Sequence, residues 1–439
     1  MYLNTKANFT KNNFINLLLA LFPFSFIAGN MIININLILI IISSLIFFKM
    51  DLFKIKFFLI DKLLFLFFFL IILTGVINDY HFFNEELAWK GYFSTVYKSV
   101  LFLKYLVFYI ILRFLVEKDI VNFKFFFIFC GMSVLFVSLD ILYQFFNGHD
   151  IFGFTGTTRK LSGPFGDELI AGGFIQRFSL FVFFLLPFFL RKIFPYKTQI
   201  FLIPLLFIII FLGLILSGNR MPTLIFLFMI LLIIIFQKQI RGFFIPFIII
   251  FPLIFFLIYQ SSDNVKNNFL NFYGQISKIS EFNFTRAANN NKSPQYLREF
   301  SSFYETWLIN KYVGGGIKNF RYYCHKRNNI PKNTNFVCNM HPHNYYLEIL
   351  TETGAIGLII ISILFVNIIY LSLIKKYFLK STLNNNNIII PFIFLFIAEI
   401  FPFKSTGSFF TTGNSTYLFL IIGIMIGLIR KNNRIENKN

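Results

Sequence analysis

The sequence predicts an all-α polytopic membrane protein with about twelve transmembrane helices and one large loop carrying short helices on the outer side. Three observations carry that prediction. Of 439 residues, 57% are hydrophobic and 69 are Phe, whereas a soluble domain is about 45–50% apolar. Whole windows are apolar, as in the Leu-Phe-Ile run of residues 63–73. Such runs suit helices of about 20 residues and not the alternating strands of a membrane barrel. The basic residues, finally, fall between these runs in a one-sided pattern. A soluble globular domain, a disordered chain and a disulfide-rich mini-fold are all excluded.

The spans lie at roughly 14–29, 31–48, 62–78, 98–116, 123–146, 169–190, 199–217, 221–236, 242–259, 354–374, 388–403 and 416–430. Lys6 and Lys11 precede the first. Lys49, Lys54, Lys56 and Lys62 follow the second, and Lys118 and Lys124 follow the fourth. Arg191, Lys192 and Lys197 come after the sixth, Lys238 and Arg241 after the eighth, and Lys375, Lys376 and Lys380 after the tenth. Arg430, Lys431 and Arg434 close the chain. All fall on one side if both termini are cytoplasmic, as the positive-inside rule expects. No small-residue cleavage site marks the first span as a removable signal peptide.

The opposite side then receives residues 79–97, 147–168, the turn near 218–220 and a large loop at about 260–353. Four regions follow: N-terminal helices at 1–150, central helices with arginine-bearing outer loops at 151–259, the large loop at 260–353, and C-terminal helices with a tail at 354–439. The net charge of +21 reflects mostly cytoplasmic loops, so nucleic acid is not the expected partner. The large loop is itself basic, from Lys266 to Lys332, against Asp263, Glu281, Glu299 and Glu305. Long loops escape the positive-inside rule. Two readings stand: a solvated basic loop, or a surface for an anionic ligand.

All five histidines (His81, His149, His325, His341 and His343) are expected in outer loops, which disfavours a proton relay through the bilayer. Cys130 lies in a span and packs there. Cys324 and Cys338 lie in the large loop; in an oxidising compartment they suit a disulfide closing the segment before His343. The alternative is a zinc site with His325 and His341, against which stands the lack of CxxC spacing.

The strongest local pattern runs from His341-Pro342-His343-Asn344 to Gly354 and Gly357. Pro342 marks a loop, and residues 344–353 have helical apolar spacing. Gly354 and Gly357 permit a turn and a close helix approach before the next span. His343 is thus held at a loop-to-helix junction, where an imidazole can take a proton from a hydroxyl. Alone, it could equally be a capping or interfacial histidine.

Other pieces accompany it. His343-Asn344 with its distal Gly354-x-x-Gly357 resembles the signature of the bacterial O-antigen ligase and polymerase superfamily. Gly314-Gly315-Gly316-Ile317-Lys318-Asn319-Phe320 resembles that family's Gly-x-Gly-x-x-Asn-Phe stretch. Arg298 falls where the family has an arginine opening a loop helix. Ser217-Gly218-Asn219-Arg220 resembles its Ser-Gly-(Ser/Asn)-Arg turn, and Arg159 with Ser162-Gly163-Pro164-Phe165-Gly166 its earlier outer loop. The ordered resemblance covers roughly residues 155–425. Asp167-Glu168 departs from the Asn-containing turn of many relatives.

The resemblance implies a GT-C-like scaffold in the bacterial inner membrane, with its active site facing the periplasm. It implies transfer of a glycan from an undecaprenyl-pyrophosphate donor to a lipid A–core or other glycan acceptor, in contact with membrane lipids, without metal or cofactor. On this basis Arg220 and Arg298 hold the pyrophosphate through planar charged forks, Arg159 is a third clamp, and His343 is the base. Gly314, Gly316, Asn319, Asn344 and Arg177 are assigned to substrate binding. Arg177 either joins the phosphate site or snorkels outward. Asp140 and Glu399 are each a counter-ion for Arg177 or Arg220, or acceptor-binding groups. Lys104 is expected to snorkel, and Lys404 to belong to the cavity rim or to an ordinary loop.

Four functions compete. A ligase moves finished polysaccharide onto lipid A–core; a polymerase joins lipid-linked repeat units; a relative transfers glycan to protein; a transporter moves the lipid. The large loop ahead of the His-Asn motif favours the ligase. The absence of an inverted repeat and the one-sided polar residues disfavour a transporter.

Overall fold

The computed structural model describes residues 10–83, 94–157, 159–261, 263–277, 295–326, 338, 341–379, 383, 386–405 and 407–436. Every regular element among them is helical. The first apolar run is a broken pair, α1 (Lys11–Ala20) and α2 (Phe22–Ala28), bent by 44°. Pro23 sits in the first turn of α2, and Gly29, with φ of 100°, turns the chain into α3 (Asn30–Phe53). Then come α4 (Leu59–Phe83), α5 (Ser94–Glu117), α6 (Phe123–Asn147), α7 (Ala171–Phe189), α8 (Tyr196–Leu216), α9 (Arg220–Phe236) and α10 (Ile245–Ser261).

Three helices belong to the large loop: α11 (Asp263–Ser277), α12 (Gln295–Trp307) and α13 (Phe320–Tyr323). The bundle resumes with α14 (Tyr345–Tyr377), α15 (Ile389–Glu399) and α16 (Thr412–Glu436). The chain is a multi-pass membrane protein, with a helix at each of the twelve expected positions but not each long enough to establish a span. Among the described residues eight helices are long and apolar enough to cross a membrane, or nine with the bent pair. α9, α15 and the apolar part of α10 are shorter. At 1.5 Å per residue, the 11 residues of α15 cover about 16 Å, half a hydrocarbon core. α15 stops where Glu399 enters an ion cluster and Pro402 follows. His81 also departs from expectation: it falls in the last turns of α4 and not in a loop.

The bundle is held by aromatic packing. Phe68, Phe102 and Phe419 of α4, α5 and α16 meet with ring centroids 5.4–6.4 Å apart, in the offset and edge-on arrangements that ring quadrupoles favour. α16 lies very close to α5. A Cβ on Gly427 would come within 2.6 Å of the Val116 side chain, so any larger residue would push the two helices apart.

α14 carries the feature that positions the site. Gly354 adopts φ 69° and ψ −175°, so the helix kinks there. A Cβ at this position would lie 2.1 Å from the Tyr312 carbonyl oxygen. The kink frees carbonyls from the helical ladder, and the glycine loop satisfies them: Gly315 N–H donates to Thr351 O (2.9 Å) and Gly316 N–H to Glu352 O (2.8 Å). In return Ala355 N–H donates to Lys311 O at 2.8 Å. Buried backbone groups must be paired, and here loop and kink pair each other. Beside them, Phe303 and Phe320 stack over Cys324, with Cys338 against this small core.

Candidate functional site

The site lies at the end of the bundle where α7, α9, α14 and α16 begin and α15 ends. A cavity of about 570 Å³ opens there. Its polar end holds Lys160, Arg177, Asn219, His341, His343 and Lys404; Phe26, Ile33, Phe165, Phe174 and Phe178 form an apolar wall. Gly172 helps to assemble this end. A Cβ there would meet Ser217 Oγ at 2.5 Å and Asn219 Cβ at 2.6 Å, so only glycine lets the Ser217–Arg220 turn rest on α7.

His343 has φ of 55°, a left-handed value that histidine tolerates better than most residues. The next residue explains the conformation. Asn344 Oδ1 accepts from Tyr346 N (3.0 Å) and Leu347 N (3.2 Å), capping α14. Its Nδ2 donates to the Pro402 carbonyl at 2.8 Å. Asn344 therefore fixes the direction of His343 and fastens it to the α15–α16 loop. Both ends of its amide are thus engaged by the protein.

The His341 and His343 rings meet edge to face, 4.5 Å between centroids. Burial and the Lys160 cation lower the His343 pKa below its usual value. Burial and His343 lower that of His341, against an opposing pull from Glu299. Both imidazoles are thus held toward the neutral form, in which a ring nitrogen accepts a proton. Lys160 is lowered in turn by burial, then by Arg159 and Arg220. Arg159 and Arg220 do not line the cavity but act on Lys160, which does.

Arg298 stands in the first turn of α12, with a buried Nε that has no hydrogen-bond partner among the described residues. It does not line the cavity, although its neighbour Glu299 acts on His341. Gly314, Gly316 and Asn319 are also outside it. The glycines hold the Gly354 kink, and Asn319 Nδ2 donates to Gly315 O at 2.6 Å. In this structure the three residues shape the support of α14. Cys324 and Cys338 form a disulfide with Cα atoms 5.7 Å apart, which leaves no thiolate pair for zinc. Residues 327–337 between them, and much of the basic loop around Arg286 and Lys292, lie outside the described residues.

Arg177 does not snorkel. Its Nη2 lies 2.7 Å from Glu399 Oε1 and its Nε 3.3 Å from Oε2. Glu399 also receives the Tyr345 hydroxyl and lies 2.8 Å from Lys404 Nζ. Asp140 is not a counter-ion here, because its Oδ1 accepts from Ile151 N at 3.0 Å and pins the following loop. Lys104 donates to Asn34 Oδ1 at 2.6 Å. Sequence reasoning missed Lys160 and Asn219, each adjacent to an arginine that it did single out.

Residues 205–362 match the family model described as O-Antigen ligase. The match is narrower than the resemblance read over 155–425. It contains Arg220, Arg298, the glycine loop and His343, while Arg159 and Arg177 precede it. No curated protein matches the chain. The matched segment runs from α8 through the kinked start of α14 and carries the His-Asn motif to the cavity, and over this third of the chain the protein is similar to the O-antigen ligase family.

Proposed function

We propose that the protein is a ligase-type glycosyltransferase. It moves a glycan from undecaprenyl pyrophosphate to a sugar hydroxyl of lipid A–core, at the periplasmic face of the inner membrane. One observation carries this reading: a histidine held toward neutrality shares a cavity with clustered cations and an apolar wall. Cations suit a pyrophosphate, and the phenylalanines suit the start of a polyprenyl chain.

In the proposed step, neutral His343 takes the proton of the acceptor hydroxyl. The hydroxyl oxygen bonds to the anomeric carbon from the face opposite the pyrophosphate. The bond from that carbon to the phosphate oxygen breaks, and its electron pair leaves on the pyrophosphate. Lys160, which lines the cavity and feels Arg220, stabilises the growing negative charge, with Arg220 and Arg298 adding to the positive field from outside the lining. Inversion at the anomeric centre follows from a single displacement.

The test is a gel of surface glycolipids and polyprenyl-linked glycans from cells lacking the protein. Bare lipid A–core with long polymer left on the carrier is the expected result. Core bearing one repeat unit and no long chains would make the enzyme a polymerase. An unchanged pattern of both would overturn the reading.

A further inference from the structure

Two cations and one carboxylate meet at the floor of the cavity. Glu399 is fully buried, Arg177 is 14% exposed and Lys404 is 6% exposed. Arg177 is committed. Two of its nitrogens bind Glu399, Nη2 also donates to Asn414 Oδ1 at 2.5 Å, and its guanidinium lies 5.0 Å from the Tyr417 ring centroid. The Tyr417 hydroxyl in turn holds the Arg177 carbonyl at 2.7 Å. A guanidinium fixed on so many sides holds Glu399 and is poorly disposed to follow a substrate.

Lys404 differs. Its Nζ is 2.8 Å from Glu399 Oε2 and 5.3 Å from the Tyr345 ring centroid, and it is buried with no hydrogen bond of good angle among the described residues. An ammonium carries three donors, and this one lines the cavity. Asn344 Nδ2, which reaches the Lys404 carbonyl at 3.4 Å, ties its backbone to the His-Asn motif. Two buried cations against one carboxylate leave an excess positive charge in a site of low polarity, which an anion in the cavity would compensate.

We propose that the Lys404 ammonium is a direct contact of the donor's phosphate group, with Arg177 and Glu399 as the residues that position it. The proposal rests on the reading of the cavity as a pyrophosphate site and names a contact that the sequence motifs do not contain. Glu399 from α15 and Arg177 from α7 act directly on Lys404, the Tyr345 ring of α14 lies 5.3 Å from its Nζ, and Glu168, Lys160, His341 and His343 are the other charged or titratable groups that line the same cavity. Burial outweighs the Glu399 carboxylate and, with Arg177, brings the Lys404 pKa down to about 8. The ammonium is present below that pH and lost above it.

The test is calorimetric binding of inorganic pyrophosphate to the full chain in nanodiscs. Lys404→Met is expected to weaken binding about tenfold or more, and Lys404→Arg to stay within about threefold of the wild type. Between about pH 7 and pH 9.5 the wild type loses affinity although pyrophosphate gains charge, and Lys404→Arg, whose cation does not titrate there, does not. Unchanged binding by Lys404→Met overturns the proposal and leaves the pyrophosphate reading in place. No binding by the wild type overturns both. If Lys404→Met does not fold, parallel pH profiles of the wild type and Lys404→Arg overturn the proposal.

Discussion

Two buried ion clusters sit at opposite ends of the bundle, and their charge ratios are reversed. At the end where α4 begins and α5 stops, Arg113 is flanked by two carboxylates. It is fully buried, pairs with Asp61, lies 3.3 Å from Glu117 and donates to the Lys56 carbonyl at 3.1 Å. Asp61 also accepts from Tyr109 and from Phe58 N, each at 2.7 Å. At the cavity end, one carboxylate faces two cations, and both cations line open space. The first arrangement joins α4 to α5 through Asp61, Tyr109 and Arg113, and none of its charged groups lines the cavity. The second holds positive charge in reserve. The difference separates a cluster that maintains the fold from one prepared for an anion.

That contrast can be broken. Arg113→Ala leaves Asp61 buried without its cation and is expected to cost about 3–5 kcal/mol of stability, read as loss of the folded peak in detergent chromatography. Arg177→Ala leaves Glu399 with Lys404 and Tyr345, so its melting temperature should fall much less while transfer is lost. Equal melting losses would erase the distinction.

His343→Ala is expected to cut transfer by about 10²–10⁴-fold with unchanged thermal melting; full turnover in a reconstituted assay would remove it as the base. Arg220→Lys keeps the charge and loses the fork, and a fall in transfer of about tenfold is expected. Unaltered turnover would assign the clamp elsewhere.

The smallest effect concerns pH. Lys160 is one cause of the lowered His343 pKa, so Lys160→Gln should raise that pKa. With His343 in the proposed role of base, activity is expected to fall as pH drops through its pKa. The acidic limb of the pH–rate profile therefore moves to higher pH in the variant, and an unmoved limb would show that the two groups do not interact.

The helices were legible because each exceeds the length at which periodicity and composition speak together. The break at Leu21 and the shortness of α15 were less so, since an apolar run looks the same whether or not it is straight. His343, the kink at Gly354 and the cations of the outer loops could be read from local sequence. The partner of Arg177 could not, because Glu399 is 222 positions away and Asp140 offered an equivalent charge at an equivalent depth. Gly314 and Gly316 suggested a loop wrapped around a ligand. The structure wraps it around α14 instead, and a glycine pattern alone does not distinguish a ligand from the protein's own backbone.

The Gly354 kink also turns the segment from Tyr345 to Thr353 into a strut of fixed length. Nine residues at 1.5 Å each set His343 about 13 Å from the bend. Inserting or deleting one residue would change that reach by only about 1.5 Å, but would swing the histidine by about 100° around the helix axis. The number of residues between His343 and Gly354 is therefore constrained by rotational phase more tightly than by distance. A chain built this way can alter what its cavity accepts by exchanging side chains around it, but not by lengthening the arm that carries His343.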